Sequence, residues 1–264
     1  MTGSFSRNKA IAAVLIIAAI AVVIVRFTAC SSAATVPQNT YDWSRLYTYG
    51  EFKTYVTEDG EVGELGVDVS SHNGDIDWSA VAGDGVSFAY VRVGWRGYTE
   101  GNIHEDEQAA ANIEGALAAG LECNIYFFSQ AITEEEAQEE ANFACDFMDE
   151  YGLKGMTVAY DLEECDVDDE RIDGLTTEEY TNVALAFCEQ VNKRGYQAIV
   201  YGNDGWLDGN YDLTSIATQY DLWLADYGSQ PEVSYDFVIW QYSSTASISG
   251  ISGECDINLR FPSD

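Results

Sequence analysis

Apolar runs of strand length alternate with amphipathic, helix-like stretches along most of this chain. Four apolar runs come first, over 65–70, 86–94, 123–129 and 156–163, and helical patterns cover 106–120, 133–151 and 176–193. Three further apolar runs, over 197–202, 221–226 and 237–242, have little helical pattern between them. Strand followed by helix, several times over, indicates a parallel sheet. The pattern predicts one compact domain, a small α/β barrel whose later helices are short or absent.

The first 64 residues do not show this alternation. An apolar run over 10–25 is preceded by Arg7 and Lys9 and followed by Arg26. This is the layout of a secretory signal or a short membrane anchor, and it places the rest of the chain outside the cytoplasm. Three fates remain open for residues 1–30: an uncleaved membrane anchor, a cleaved signal, or a lipoprotein acylated at Cys30. The polar stretch 31–64 is predicted to be a tether.

Charge and cysteine content narrow the possible partners. The chain has a formal net charge of −33, and its first 41 residues contain no Asp or Glu. Such an acidic domain repels nucleic acid and anionic lipid, so we expect no nucleic-acid partner and membrane contact only through the N-terminal segment. Six cysteines form no C-x-x-C pair, and the acidic run after 165 has Arg171 where a calcium loop needs Gly. We expect a monomer without a metal or cofactor.

Acidic residues stand at the ends of several predicted strands. Asp161 and Glu163 end one strand, Asp68 and Asp226 end two others, and Asp256 lies near the C-terminus. In a parallel barrel the loops after the strand ends form the active site, so these acids should meet at one rim. Residues two apart on a strand share a face, and paired carboxyl groups in a partly dry cavity acquire different pKa values. That division suits glycoside hydrolysis. The loop acids over 164–170 are expected to be solvated.

Aromatic residues support a sugar substrate. Flat rings stack on the apolar faces of sugars, and several rings occur at predicted strand ends. The candidates for substrate binding, with the acid Asp226, are Tyr126, Tyr201, Trp206, Trp240 and Tyr242.

Five segments, in order, resemble the family-25 glycoside hydrolases, the N-acetylmuramidase lysozymes. They are GVDVSSHNGDIDW (66–78), YVRVGWRGYTEG (90–101), AAGLECNIYFFS (118–129), VAYDLEE (158–164), and LWLADYG with the closing IWQYSSTASISGISGECDINLRF (239–261). The resemblance covers the compact domain, which we assign to 65–264 as a catalytic domain. It departs from the family pattern at His72 and Asn73 and in a long acidic insert over 164–174.

The resemblance implies a TIM-like flattened barrel, with five βα units followed by three β strands. It implies that Glu163 is the proton donor and Asp161 its partner, with Asp68 and Asp256 completing an acidic rim. The implied reaction is hydrolysis of the β-1,4 bond after N-acetylmuramic acid in peptidoglycan glycan strands, with retention. Whether Asp161 attacks covalently or orients the substrate's acetamido group stays open.

Two other functions compete. A chitinase-like barrel carries the motif D-x-x-D-x-D-x-E, but Ala159 stands at its middle acid. A surface-anchored glycan-binding protein on a degenerate barrel should lack catalytic acids, whereas Asp68, Asp161, Glu163 and Asp256 are all present. Turnover of purified peptidoglycan, with identification of the products, distinguishes these functions.

Overall fold

The computed structural model describes residues 34–165 and 167–263, and residues from Val36 onward form one compact unit. The apolar run 10–25 and Cys30, and with them the predicted signal or anchor, lie outside the described residues. Within the described ranges, none of the helices has the length and apolar character needed to cross a membrane.

The secondary structure alternates as the sequence predicted. The strands are β1 (Leu46–Tyr49), β2 (Phe52–Tyr55), β3 (Glu64–Val69), β4 (Phe88–Arg96), β5 (Ile103–Glu105), β6 (Glu122–Phe128), β7 (Thr157–Asp161), β8 (Gln197–Asn203), β9 (Asp221–Ala225), β10 (Ile239–Ala246) and β11 (Cys255–Arg260). The α-helices are α1 (Trp78–Gly83), α2 (Ala109–Ala118), α3 (Glu134–Tyr151), α4 (Thr177–Lys193), α5 (Asp204–Asn210) and α6 (Leu213–Ala217).

Eight of these strands close into a barrel. Neighbouring strands run parallel in the order β3, β4, β6, β7, β8, β9 and β10, while β11 is antiparallel to both β10 and β3 and closes the ring. The short β5 pairs with β4 outside the ring. Helices follow β3, β4, β6, β7 and β8, and no α-helix separates β9, β10 and β11 among the described residues. The TIM-like barrel of five βα units followed by three strands is therefore confirmed.

Local sequence signals set the helix boundaries. Thr176 and Glu179 form a capping box at the start of α4. At the start of α3 only half of such a box forms: the Thr133 hydroxyl accepts from Glu136 N–H, but the Glu136 carboxylate accepts hydrogen bonds from Ile132 N–H and from Arg171 instead of from the Thr133 backbone. Helix α3 ends at Tyr151 and is capped by Gly152, whose φ of 64° suits a residue without a Cβ.

Alternate strand residues fill the barrel interior below the rim. Phe88, Tyr90, Ile199 and Trp223 belong to one buried cluster inside the ring. A Cβ on Gly66 would lie 2.2 Å from the Phe88 ring, so this glycine on β3 leaves the space that the ring occupies. These large side chains fill the barrel and form the floor of any cavity at the carboxyl ends of its parallel strands.

Residues 36–64 pack against the barrel, which corrects the predicted tether. The ring of Tyr41 stacks on Phe261 at 4.1 Å between centroids and lies 5.3 Å from Phe237. The backbone N–H of Asn39 donates to Ser234 O at 2.9 Å. The sequence pattern missed this segment because its aromatic residues have no regular period, and their partners lie about 200 residues further along the chain.

We predict that Tyr41→Ala lowers the free energy of unfolding by about 2–4 kcal/mol, because it removes a ring packed among Phe237 and Phe261. Urea denaturation of the full chain followed by tryptophan fluorescence measures this change. Tyr47→Ala is the matched control, since that ring is 45% exposed and its loss should change the free energy by less than about 0.5 kcal/mol. Equal stability of the two variants would restore the tether interpretation.

Candidate active site

A cavity of about 390 Å³ opens at the end of the barrel where the parallel strands terminate. Its walls include Asp68 from β3, Asp161 and Glu163 at the end of β7, and Asp256 from β11. The structure thus brings together four of the five acids that the sequence analysis assigned to one rim, and Asp226 is the exception.

Strand geometry explains how these acids meet. Asp161 is the last residue of β7, and Leu162 turns away from the cavity to a fully buried position, so Glu163 returns to the cavity side. Because β11 is antiparallel, its first residues lie at the same rim as the last residues of β3, and Asp256 is paired in register with Asp68.

Asp161 and Glu163 form a coupled pair of acids. Burial raises the pKa of Asp161 well above its usual value, and the charges of Glu163 and Asp68 raise it further. The Asp161 Oδ1 atom is buried without a hydrogen-bond partner among the described residues. Burial also raises the pKa of Glu163 to about 7, against a hydrogen bond with Asp161 that lowers it. Burial therefore favours the protonated form of both carboxyl groups, and their titrations depend on each other.

The other two acids differ in their partners. Asp68 Oδ2 accepts hydrogen bonds from Gln241 Nε2 at 3.0 Å and Asn258 Nδ2 at 2.7 Å. Burial raises the pKa of Asp68 to about 6, and these two donors limit the rise. Burial, with the charges of Asp68 and Glu163, raises the pKa of Asp256 to about 8. Asp68 is therefore the acid best prepared to stay ionised.

Both amides that contact Asp68 are themselves held in place. Gln241 Oε1 accepts hydrogen bonds from the hydroxyls of Tyr201 at 3.0 Å and Tyr227 at 2.8 Å. Asn258 Oδ1 accepts from the indole N–H of Trp223 at 2.8 Å. Each amide oxygen is thereby occupied by a donor, so each NH₂ group is directed at Asp68.

Arg92 supplies positive charge to the cavity wall. Its Nε donates to Asp106 Oδ2 at 2.8 Å, and its guanidinium lies 5.1 Å from the centre of the Trp95 ring. Its charge lowers the pKa of Asp161, opposing the effect of burial. Sequence analysis missed Arg92, although an arginine inside the apolar run of β4, two residues after Tyr90, was a usable signal.

The predicted substrate-binding residues are divided between several places. Tyr126 and Tyr201 line the acid-containing cavity. Trp206 lines a second recess of about 470 Å³, which also includes Glu164, next in sequence to Glu163. Asp226 lies outside both cavities and accepts hydrogen bonds from the backbone N–H groups of Gly228 and Glu232 in a turn.

Trp240 and Tyr242 lie on the outer face of the barrel. Side chains alternate along a strand, so Gln241 between them points inward to Asp68. Lys53 from the β1–β2 hairpin lies 5.2 Å from the centre of the Trp240 ring and 5.7 Å from that of Tyr242. The sequence analysis assigned Trp240 and Tyr242 of this strand to substrate binding, whereas the residue of β10 that lines the cavity is Gln241.

The acidic loop after Glu163 is not fully exposed to solvent. Glu170 is 4% exposed, which corrects its assignment as a solvated acid.

The five described cysteines are all free thiols. No three His, Cys, Asp or Glu side chains within 34–165 and 167–263 are grouped so as to hold a metal ion.

We predict that Asp256→Asn increases the free energy of unfolding at pH 8 by about 1–3 kcal/mol. The pKa of Asp256 is raised in the folded state to about 8 from an ordinary 3.8, so its protonated form is favoured by folding. Its stabilising effect is complete below about pH 4 and is lost as the pH rises to about 8. Urea denaturation at several pH values tests this, with the exposed Glu58→Gln as control. Parallel pH profiles for wild type and Asp256→Asn would contradict the raised pKa.

Comparison with known proteins agrees with this geometry. The autolytic lysozyme of Clostridium acetobutylicum is 28% identical over 194 residues, covering 73% of this chain and 54% of that protein. Lysozyme M1 of Streptomyces globisporus is 28% identical over 208 residues, covering 74% of this chain and 67% of that protein. The chain thus spans about half and two thirds of the lengths of these relatives.

Solved structures show the same fold. The modular autolysin LytC of Streptococcus pneumoniae, solved with a synthetic peptidoglycan ligand, superposes with a TM-score of 0.68 at 21% identity, covering 82% of this chain and 52% of that one. The bacterial lysozyme of Streptomyces coelicolor gives a TM-score of 0.62 at 25% identity, covering 76% and 93%. The model of the glycosyl hydrolases family 25 matches residues 67–251, and the chain therefore belongs to glycosyl hydrolase family 25.

Proposed function

We propose that this chain is a peptidoglycan hydrolase that cleaves the β-1,4 bond between N-acetylmuramic acid and N-acetylglucosamine. The observation that carries the proposal is the adjacent pair Asp161 and Glu163, whose pKa values are both raised by burial in a cavity at the carboxyl end of a family-25 barrel. Two of its relatives are named as lysozymes, and one neighbour in structure was solved with a peptidoglycan ligand.

In the proposed reaction, Glu163 donates a proton to the leaving glycosidic oxygen, and Asp161 acts as a carboxylate. Its two possible roles, attack on the anomeric carbon and orientation of the acetamido group, both require an ionised Asp161. In the free protein burial raises the pKa of Asp161 and favours its protonated form. Substrate binding must therefore favour the ionised form of Asp161.

Substrate chemistry supplies a reason for this ionisation of Asp161. An acetamido N–H that donates to Asp161 would favour its ionised form, and so would positive charge developing on the sugar ring. Either interaction lowers the proton affinity of Asp161, and Glu163 is the adjacent acceptor. Asp68, kept ionised by Gln241 and Asn258, and Asp256 complete the acidic rim and hydrogen-bond sugar or water.

Aromatic walls would position the glycan on both sides of the acids. Tyr126 and Tyr201 lie in the cavity, while Trp206 and Tyr180 wall the neighbouring recess beside Glu164. A polymer of sugars is long enough to occupy both spaces, so we assign the recess to a sugar more distant from the cleaved bond. The N-terminal segment would keep this activity outside the cytoplasm, attached to the membrane or secreted.

Glu163→Gln should reduce the release of new reducing ends from purified peptidoglycan by about 10²–10⁴-fold, because glutamine cannot donate the proton. Reducing ends on muramic acid, identified by mass spectrometry after borohydride reduction, measure the reaction. Glu189→Gln, which removes an exposed acid on α4, should cleave at the wild-type rate.

Two results would contradict this proposal. Cleavage by Glu163→Gln at the wild-type rate would show that another group is the acid. Binding to several wall types by the wild type, without any new reducing ends, would favour the glycan-binding alternative.

Trp206→Ala should lower kcat/KM for polymeric glycan by about three- to tenfold and leave the value for the shortest cleaved fragments unchanged. The reason is that only long chains reach the second recess. Trp206→Phe, which keeps a flat ring, should retain most of the activity on polymer. Equal losses on long and short substrates would place the effect of Trp206 in folding rather than in binding.

A further inference from the structure

The backbones of both central acids are held by two consecutive residues that follow β6. Ser129 N–H donates to Asp161 O at 2.6 Å. The Gln130 side chain donates through Nε2 to Glu163 O at 3.1 Å. Both residues are fully buried, so these contacts are shielded from competing water.

The second contact of the Gln130 amide leads to the acidic insert. The same Nε2 donates to Glu170 Oε1 at 2.8 Å, while Gln130 Oε1 is buried without a partner among the described residues. This amide is therefore used entirely as a donor, with one contact to Glu163 and one to Glu170. A side chain buried for core packing alone would need no such arrangement.

Glu170 fixes the chain immediately after Glu163. Both of its carboxylate oxygens lie within reach of Cys165 N–H, at 3.0 and 2.9 Å. Its two donors thus come from Cys165, two residues after Glu163, and from Gln130, which contacts Glu163 directly. A buried carboxylate with these partners joins the insert to the backbone of the proposed acid.

Arg171 ties the same loop to the body of the barrel. Its guanidinium donates to Gln130 O at 2.8 Å and to Glu136 Oε1 at 2.7 Å, and its backbone N–H donates to Tyr98 O at 2.9 Å. Three separate segments therefore hold the point at which Glu170 enters the interior.

We propose that Gln130 and Glu170 are positioning residues, which together hold the backbone of Glu163 at the cavity and keep its carboxyl group out of bulk water. This inference rests on the proposed function of Glu163 and gives the acidic insert a role in it. We call Gln130 and Glu170, with these contacts, the latch. If the contacts are lost, Glu163 moves away from its position at the substrate and becomes more exposed to solvent. Misplacement by about 1 Å is enough to reduce a reaction about a hundredfold.

The test uses Glu170→Gln and Gln130→Met in the full chain. Glu170→Gln presents an NH₂ group to one of its two donors, whereas Gln130→Met keeps the volume and removes both N–H contacts. For each we expect kcat to fall about ten- to hundredfold with KM changed less than about twofold. Asp168→Asn, which removes an exposed charge from the same loop, should match the wild type.

A second measurement does not depend on turnover. The carboxyl carbon of Glu163, followed by NMR titration and assigned with Glu163→Gln, should titrate near pH 7 in the wild type. In both latch variants its pKa should fall by one unit or more, because the main cause of its elevation is burial. Neither variant replaces Asp161 or Asp68, the two acids that also shift the pKa of Glu163.

The outcomes separate the two proposals. A wild type without turnover, but with the expected fall of the Glu163 pKa in the variants, would overturn the proposed function and support the latch. An unchanged pKa of Glu163 in the variants, whether or not kcat falls, would overturn the latch proposal. If both variants unfold below the assay temperature, the pair stabilises the fold rather than Glu163, and the latch proposal also fails.

Discussion

The structure depends on keeping four carboxyl groups in one partly dry cavity. Removing a carboxylate from water is costly unless it is paired, hydrogen-bonded or protonated, and neighbouring carboxylates add repulsion. The barrel meets this constraint by giving the acids unequal partners. Asp68 receives two amide N–H donors, whereas Asp161 has an oxygen with no partner among the described residues. Protons therefore collect on some acids and not on others, which is the condition for acid catalysis.

Topology brings the partners of this site together. Seven consecutive parallel strands can deliver only their last residues to the rim, but the antiparallel β11 delivers its first. Asp256 and Asn258 on this strand consequently face β3, where Asp68 lies. The tyrosines that orient Gln241 come from β8 and from the loop after β9. The residues of the site thus come from barrel strands and from the loop after β9. The short late helices, and the lack of an α-helix between β9 and β11 among the described residues, therefore do not disturb it.

Much of this arrangement could be predicted from the sequence, because strand ends in a parallel barrel share a rim. Asp161 and Glu163 were found by spacing of two, and the fold followed from the alternation of strands and helices. Gln241 and Arg92 were not found, because a polar residue within an apolar run shows its direction only when the strand register is known. Glu170 was misjudged for a related reason, since its burial depends on Gln130, which is 40 residues away.

Two further differences between the sequence-based predictions and the structure have a single physical cause. Strands β10 and β11 have no covering α-helix among the described residues, so their outer faces need another partner. Residues 36–64 provide it: Tyr41 packs on Phe261, and Lys53 lies over Trp240. The rings of β10 that the sequence analysis assigned to sugar binding are therefore in contact with the segment that it predicted to be a tether. Apolar side chains on the outer face of a barrel strand without a covering helix need another partner to shield them from water. Here the missing helices of the last three strands and the packed N-terminal segment are two aspects of the same requirement.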